Sequence, residues 1–549
     1  MDSLKPMLLT SLKSYDKSQF FKDVTAGIIV AIIALPLSIA LALASGVGPE
    51  ASIFTAIVAG FVISALGGSS VQIAGPTAAF ATIVAGIVAK NGMDGLIIST
   101  ILAGIFLLIM GLCHFGSLIK FIPYTITTGF TSGIAVTIVI GQLKDFFGIT
   151  YQNGETPIET IEKLEAVFKN FSTFNINALI IGIISLAILI ISPYIFKKIP
   201  GSLIAVIAGI VMVKFLPLKA NTIGDLYTIS NSLPAFHLPK VTLEIIGQSA
   251  SDAFTIAILA AIESLLSCVV ADGMINGKHR SDMELVAQGA GNIASALFGG
   301  IPATGAIART AANIKNGGRT PIAGMVHSIT LVIVLVVLMP YAGLIPMPTI
   351  AAILFMVAYN MCQWRTFVDL VKTAPKSDII VLLTTFFLTV LFDLVVAIEI
   401  GMVLACLLFI KRMSEETHVD SWTYVDDDTP DINENLKKLP LQIRVYEITG
   451  PLFFGAADAI EHIVVKDFTK CLVIRMRSVP ALDTTAMNAL KNLAKVCQAK
   501  GIAMVFSHVN EQPMHVMEKA GFVEIIGEEN FRPNISAALE RAEEIITVS

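Results

Sequence analysis

The sequence has few charged residues and few cysteines, and these shortages exclude several classes of protein. Charged residues make up 14% of the 549 residues, against about 25% in an average soluble domain. Hydrophobic residues make up 55%, and the mean hydropathy of +0.78 indicates a membrane protein rather than a soluble enzyme. The six cysteines show no CxxC spacing, which excludes a cysteine-based zinc site or a disulfide framework. The weak charge also excludes a basic surface for nucleic acid.

The few charges are unevenly distributed along the chain. Up to Arg412 there are 24 Lys and Arg against 21 Asp and Glu, whereas the remaining residues hold 13 against 21. The charged fraction therefore more than doubles at that point. We predict four parts: an N-terminal segment over 1–23, a transmembrane domain over 24–412, an acidic linker over 413–437 and a soluble domain over 438–549.

Apolar runs recur throughout the membrane part. A secretory signal is the alternative for the first run, Val24 to Ala44, but this run reaches the roughly 20 residues that span a bilayer and many others follow it. Lys and Arg concentrate on the side that holds both termini, which predicts a cytoplasmic (inner) membrane protein with cytoplasmic termini. The fourteen candidate spans are 24–44, 51–66, 77–89, 95–113, 125–143, 175–192, 200–216, 251–271, 284–299, 306–314, 320–339, 346–361, 376–392 and 394–410.

Two of the spans, the third and the tenth, are too short to cross a bilayer. The third follows Ala74-Gly75-Pro76-Thr77, and the tenth follows a Gly- and Pro-rich stretch over 299–305. Two halves of seven helices, each with an interrupted third member, indicate an inverted-repeat secondary transporter whose substrate site lies where the broken helices meet. The alternative is that both stretches are kinks in ordinary buried helices.

The electrostatics of two half-helices favour an anionic substrate. Each helix N-terminus carries about half a positive charge and free N–H groups. Two such ends at one place supply about one positive charge without any side chain. The sequence therefore predicts an anion site.

Two ionisable residues stand out within the predicted spans. Glu263 is in the middle of the eighth span, and Arg309 lies four residues after Gly305. Such residues cost about 2.5 kcal/mol or more in a membrane and are functional candidates. We expect both to line the central site, where they can pair, so that protonation of Glu263 frees Arg309 to hold an anion. The alternative is a static buried ion pair that stabilises the core.

The residues after the linker alternate between strand and helix patterns, which predicts a small α/β domain. We place strands at 441–448, 471–476 and 502–507, and helices at 456–464, 484–500 and 511–520. Asp483 is the predicted N-cap of the middle helix. Thr484 is a candidate site of phosphorylation, but the favoured interpretation is an ordinary place in the helix cap.

Four groups of residues form a recognisable combination: Leu35-Pro36 with Ala44-Ser45-Gly46, Ala74-Gly75-Pro76-Thr77, Gly299-Gly300-Ile301-Pro302 with Arg309-Thr310, and Gly450-Pro451-Leu452-Phe453-Phe454. Together they resemble the SulP sulfate-permease family, over essentially the whole chain. The resemblance implies a polytopic α-helical membrane protein with fourteen spans in a seven-plus-seven inverted repeat. It also implies core and gate domains, elevator-type alternating access, a homodimer and a cytoplasmic α/β STAS domain.

The resemblance also implies roles for individual residues. Glu263 and Ser267 match positions that bind sodium in bicarbonate-transporting relatives, and Glu263 with Arg309 matches a pair linked to proton coupling in plant relatives. Thr484 stands where related anti-sigma antagonists carry a phosphorylated Ser. The expected substrate-binding residues are Leu41, Pro76, Thr77, Ala78, Gly305, Ala306, Ile307 and Arg309.

These patterns predict a secondary active transporter of small inorganic or carboxylate anions, coupled to protons. It needs no cofactor beyond a coupling ion, H⁺ or Na⁺. The alternatives are a sodium-dependent bicarbonate symporter, an uncoupled anion channel, and an anion sensor that signals through the STAS domain. An enzyme is not expected, because no nucleophile, base and orienting group can be placed together.

Overall fold

The computed structural model describes residues 4–117, 123–151, 157–195, 200–216, 218–239, 243–392, 394–421, 439–461, 463 and 468–548. These residues form two compact units, Met1–Met402 and Val403–Ser549. Residues 422–437 of the predicted linker lie outside the described residues.

The first unit is helical. All fourteen predicted spans coincide with helices in the structure, and eight of the described helices are long and apolar enough to cross a membrane by length and composition. Two short strands, β1 Ala74–Gly75 and β2 Thr304–Gly305, interrupt the series. The helices are α1 Met7–Ser11, α2 Lys17–Ala44, α3 Pro49–Leu66, α4 Ala81–Leu112, α5 Tyr124–Phe147, α6 Thr160–Lys169, α7 Ile176–Ile195, α8 Gly201–Phe215, α9 Ile223–Leu226, α10 Leu243–Ile275, α11 Ser281–Leu297, α12 Ile307–Lys315, α13 Ile322–Ala342, α14 Met347–Cys362, α15 Trp364–Thr373, α16 Lys376–Leu391 and α17 Leu394–Glu415.

The two short spans are short in the structure as well. Helix α4 is broken at Gly92, where φ is 65° and ψ is −169°. Only glycine adopts such a backbone conformation without strain, so this residue separates the third predicted span from the fourth. Helix α12 has only nine residues. The Gly- and Pro-rich stretch before each half-helix contains a short extended strand, β1 or β2, and this excludes the alternative of kinks in two ordinary long helices.

The helices of the first unit pack as two sets. Helices α2, α3, α4, α10, α11, α12 and α13 contact one another and form what we call the core helices. Helices α5, α7, α8, α14 and α16 form a second packed set, the gate helices. This division confirms the predicted core and gate arrangement. Both β1 and β2 contact the core helices.

The second unit is an α/β domain, as predicted. Its strands are β3 His418–Ser421, β4 Ile443–Thr449, β5 Cys471–Ser478, β6 Ala503–Ser507 and β7 Phe531–Arg532. They form one sheet in the order β3-β4-β5-β6-β7, in which β3 is antiparallel and the others are parallel. Its helices are α18 Asp458–Glu461, α19 Thr484–Ala499, α20 Glu511–Lys519, α21 Phe522–Ile526 and α22 Ile535–Val548.

Buried apolar residues cover both faces of this sheet. Ile474 and Phe506 belong to one cluster with Met487 of α19, and Val473 and Val505 belong to the other with Ala538 of α22. Neighbouring residues of β5 alternate between the two clusters because side chains along a strand point to opposite faces. The sequence pattern missed α22, whose apolar face completes the second cluster.

The pattern also misread the start of this unit. His418–Ser421 forms β3 within the stretch predicted as linker, and α17 continues to Glu415. The four residues of β3 are mostly exposed, so they carry no apolar period, and pairing with β4 makes the strand. In the described residues α18 ends at Glu461, before the predicted end at 464. Asp483 caps α19 as predicted, since its side chain accepts from the Ala486 N–H.

Candidate functional site

The two short strands of the first unit pair with each other. Ala74 lies opposite Gly305 and Gly75 opposite Thr304 in an antiparallel register. The Ala306 N–H extends the ladder by donating to the Ile73 carbonyl oxygen at 2.9 Å. Each strand leads into a half-helix: β1 into α4 through a 3₁₀ turn at Ala78–Phe80, and β2 into α12. The pairing therefore brings two helix N-termini to one place, where free N–H groups favour an anion.

Space, rather than backbone conformation, explains glycine at two of these strand positions. A Cβ atom at Gly75 would overlap Nη1 of Arg309, and one at Gly305 would overlap the side-chain amide of Gln72. Any larger residue would have to displace those groups. The two glycines thus allow the side chains of Arg309 and Gln72 to lie against the backbone of the paired strands β1 and β2. We call this pair of strands, with the two half-helix N-termini that follow it, the crossing.

Arg309 lies on α12 with its guanidinium over β1. The residue is 2% exposed, and its Nη2 donates to Ser38 Oγ and to the Pro76 carbonyl oxygen, both at 3.2 Å. Its Nε and Nη1 are buried without a hydrogen-bond partner among the described residues. A guanidinium offers five N–H donors in a fixed plane. Arg309 therefore retains donors that a bound anion can use.

Glu263 lies on α10 and faces the start of the other half-helix. Its Oε2 accepts a hydrogen bond from Thr77 Oγ1 at 2.8 Å. Within the described part of the chain no ion pair joins it to Arg309. The expected pairing is therefore not what the structure shows. Arg309 lies over Gly75 and bonds Ser38 of α2, whereas Glu263 bonds Thr77, which lies two residues after the end of β1.

Hydroxyl groups that the sequence reading missed attach β2 to α10. Ser264 Oγ and Thr304 Oγ1 share a hydrogen bond of 2.7 Å, and Ser264 Oγ accepts from the Gly305 N–H at 3.0 Å. Thr304 Oγ1 also donates to the Ala260 carbonyl oxygen at 3.1 Å. Ser264 directly follows Glu263 in the sequence, and that adjacency was the available signal. Ser38, the partner of Arg309, had no comparable signal in α2.

The remaining predicted residues lie around the same crossing or on the elements that build it. Ser267, one helical turn after Glu263, donates to Thr310 Oγ1 at 3.4 Å and so faces α12. Leu41 lies one turn after Ser38 on α2. Thr77, Glu263 and Ile307 retain exposed surface. The buried members are Leu41, Pro76, Ala78, Gly305, Ala306, Ser267 and Arg309. Thr484 belongs to the second unit, where it is exposed at the first position of α19.

Comparison with known proteins assigns both units. Residues 20–385 match the family model described as the sulfate permease family, and residues 437–538 match that of the STAS domain. The chain belongs to the sulfate permease family. It is thus a multi-pass membrane transporter with a STAS domain, not an enzyme.

Transporters that resemble this chain come from bacteria and plants. The putative sulfate transporter YvdB of Bacillus subtilis is 39% identical, covering 94% of this chain and 97% of the relative. The bicarbonate transporter BicA of Picosynechococcus is 32% identical over 86% of this chain and 85% of the relative.

Two solved structures share the fold. The transmembrane domain of a cyanobacterial BicA has a TM-score of 0.62 at 28% identity, covering 71% of this chain and 98% of that one. SLC26A9 has a TM-score of 0.87 at 18% identity, covering 100% of this chain and 93% of that one, and shows the fold alone.

Proposed function

We propose that this protein is a secondary active transporter that binds a small oxyanion between the starts of α4 and α12 and couples its movement to protons through Glu263. The observation that carries the proposal is the antiparallel pairing of β1 with β2. It places two helix N-termini and a buried, incompletely bonded Arg309 at one point. Sequence resemblance supports a homodimer in the cytoplasmic membrane, with both termini and the STAS domain in the cytoplasm.

The charges at the crossing suggest why a proton would accompany the anion. The two helix ends contribute about half a positive charge each and Arg309 a full one, so the site carries about two positive charges. Ionised Glu263 reduces this sum to about one. The site would then suit a monovalent anion while Glu263 is ionised, and a divalent anion such as sulfate once Glu263 is protonated.

Thr77 offers a physical link between the proton and the anion. Its hydroxyl donates to Glu263, and a hydroxyl has only one proton to donate. When Glu263 is protonated, the carboxyl group can donate to Thr77 instead. The Thr77 proton is then free to bond an anion at the start of α4. Protonation would thus add a donor to the site as well as remove a negative charge.

The packing supports movement of the site as one body. The residues of the proposed site lie on the core helices or on the segment that leads into α4; they are Ser38, Thr77, Glu263 and Arg309. The hydrogen bonds among these elements do not involve the gate helices. We propose that the core helices carry the anion past the gate helices in an elevator-type motion. With it we propose the predicted four-part division at 23, 412 and 437, corrected in that α17 continues to Glu415 and that β3 belongs to the α/β domain and not to the linker.

A second candidate is bicarbonate transport driven by sodium. The likeness to BicA, a bicarbonate transporter, favours bicarbonate as the anion. The resemblance assigns sodium to Glu263 and Ser267, which lie one turn apart on the same face of α10 and offer the hard oxygen donors that a small cation prefers.

Uptake by proteoliposomes tests both candidates. Sulfate, bicarbonate, chloride, nitrate and oxalate are compared with and without an inward proton gradient, and with and without sodium. We expect Glu263→Gln to keep anion counterflow and to lose the acceleration by protons, because an amide cannot change charge. Glu399→Gln, which alters an exposed acid of α17, is the matched control and should behave as the unmodified protein.

Other results of the uptake experiment would contradict the proton mechanism or favour a different function. Unchanged acceleration in Glu263→Gln refutes the proton mechanism, and acceleration by sodium alone favours the second candidate. Current without coupling to a gradient indicates a channel, and anion binding without flux indicates a sensor.

A further inference from the structure

Helix α11 of the core helices contains a fully buried carboxyl group, which the proposed site does not use. Glu284 of α11 is 0% exposed. Its Oε1 accepts from Nε2 of Gln72 at 2.6 Å and of Gln288 at 2.9 Å. Its Oε2 accepts from the backbone N–H groups of Gly68 and Ser69 at 3.0 and 3.3 Å. Because the Glu284 carboxyl group is the acceptor in all four hydrogen bonds, an ionised carboxylate fits this site without a cation beside it.

Gln72 connects this carboxylate to the strand crossing. Its amide nitrogen donates to Glu284, and its Oε1 accepts from the Cys268 thiol at 3.0 Å. The amide plane lies directly against the backbone of Gly305, where a Cβ atom would overlap it. The side chain is therefore held between α11 and α10 while it rests on β2.

The next residue along the chain transmits this position to α12. Ile73 donates its backbone N–H to Thr310 Oγ1 at 3.1 Å, and its carbonyl oxygen accepts from the Ala306 N–H at 2.9 Å. Both backbone groups of Ile73 are thus bonded to the first turn of α12 or its cap. A shift of Gln72 would move these bonds and, with them, the start of α12 and the guanidinium of Arg309.

We propose that Glu284 is a positioning residue of the anion site. By holding the Gln72 amide and the backbone at Gly68 and Ser69, it sets the register of β1 against β2 and the place of both half-helix N-termini. It touches no anion itself. The proposal rests on the proposed function for its effect on transport, whereas its effect on the geometry of the crossing is independent of any substrate.

The test compares Glu284→Gln, Glu284→Ala, Gln72→Glu and the double variant Glu284→Gln/Gln72→Glu in the full-length protein. Removing an acceptor leaves buried donors unbonded, and Gln72→Glu places two carboxyl groups together. The double variant restores one donor facing one acceptor. Asp282→Asn is the matched control, since Asp282 lies on the first turn of the same helix and bonds His114 and Gly116 instead.

Two readouts are measured, and only for variants that size-exclusion chromatography shows to be folded. One is the KM and the maximal rate of anion uptake. The other is the rate at which a thiol reagent modifies an Ile307→Cys substitution, followed by mass spectrometry at that peptide, because Ile307 is 39% exposed at the start of α12. We expect the single variants to raise KM about tenfold or more and to change the modification rate, and the double variant to restore both.

The outcomes separate the two proposals. If KM and the modification rate stay unchanged in the single variants while only thermal stability falls, Glu284 is merely structural and the inference is overturned. Failure of the double variant to restore either readout also overturns it. If neither the unmodified protein nor any variant transports anions, the proposed function fails. In that case the positioning role is still supported if the single variants alter the modification rate of Ile307→Cys and the double variant restores it. Should Glu284→Ala not fold, the same comparison is decided with Glu284→Gln.

Discussion

A single methyl group at Gly75 should weaken anion binding without unfolding the protein. A Cβ atom at this position would overlap Nη1 of Arg309. Nη1 is the end of a flexible side chain, so in Gly75→Ala the guanidinium yields rather than the backbone. Withdrawal of the guanidinium breaks its bonds to Ser38 and Pro76, each 3.2 Å long, and removes it from the start of α4.

The size of the effect follows from the bonds that are lost. A hydrogen bond to a charged group contributes about 1.5 to 3 kcal/mol. If misplacement of the guanidinium removes one such bond to the anion, the affinity falls about 10- to 150-fold. Stability should fall as well, by about 1 to 3 kcal/mol, because the bonds of the buried guanidinium to Ser38 and Pro76 are lost, while the backbone stays in place.

The assay measures the KM for anion uptake in proteoliposomes and the melting temperature in detergent. Gly86→Ala is the matched control, since no atom lies within 4 Å of a Cβ at that position of α4; it should leave KM unchanged and slightly raise stability. The reasoning is refuted if folded Gly75→Ala keeps the KM of the unmodified protein.

Three further predictions concern stability and reactivity. Asp23 is fully buried and accepts hydrogen bonds from both the N-terminal segment and the turn before α13; Asp23→Ala should therefore cost about 3 kcal/mol, seen as a lower melting temperature, with a smaller loss in Asp23→Asn. Asp483→Ala removes the cap of α19 and should cost about 1 kcal/mol, so hydrogen exchange of that helix in the full-length protein should accelerate about fivefold; unchanged exchange would contradict the cap. Burial raises the pKa of Cys471 to about 12 and that of Cys497 to about 11. Because both pKa values exceed the 9.0 of a free thiol, the stability they contribute is full below about pH 9 and falls as the pH rises toward 11 and 12. Alkylation near pH 8, read by mass spectrometry, should modify exposed Cys113 well before either of them.

Local patterns in the sequence predicted the elements of the site. The Gly- and Pro-rich stretches before the two short spans predicted half-helices, and the structure shows them at α4 and α12. An arginine four residues after Gly305 was recognisable because charge is rare in an apolar span. The partners of these residues were not recognisable. Glu263 bonds Thr77, which is 186 residues away, and no periodicity in either segment encodes that distance.

The sequence by itself determined which segments cross the membrane, where the α/β domain follows and that an anion is the natural ligand, because hydropathy, period and helix-end charge are properties of short stretches of chain. Only the tertiary structure decided which polar groups meet. It separated Glu263 from Arg309, gave Arg309 to Ser38 and Pro76, and joined Glu284 to Gln72 across 212 residues. Hydrogen bonds form over about 3 Å, so such pairings depend on the packing of the core helices around β1 and β2.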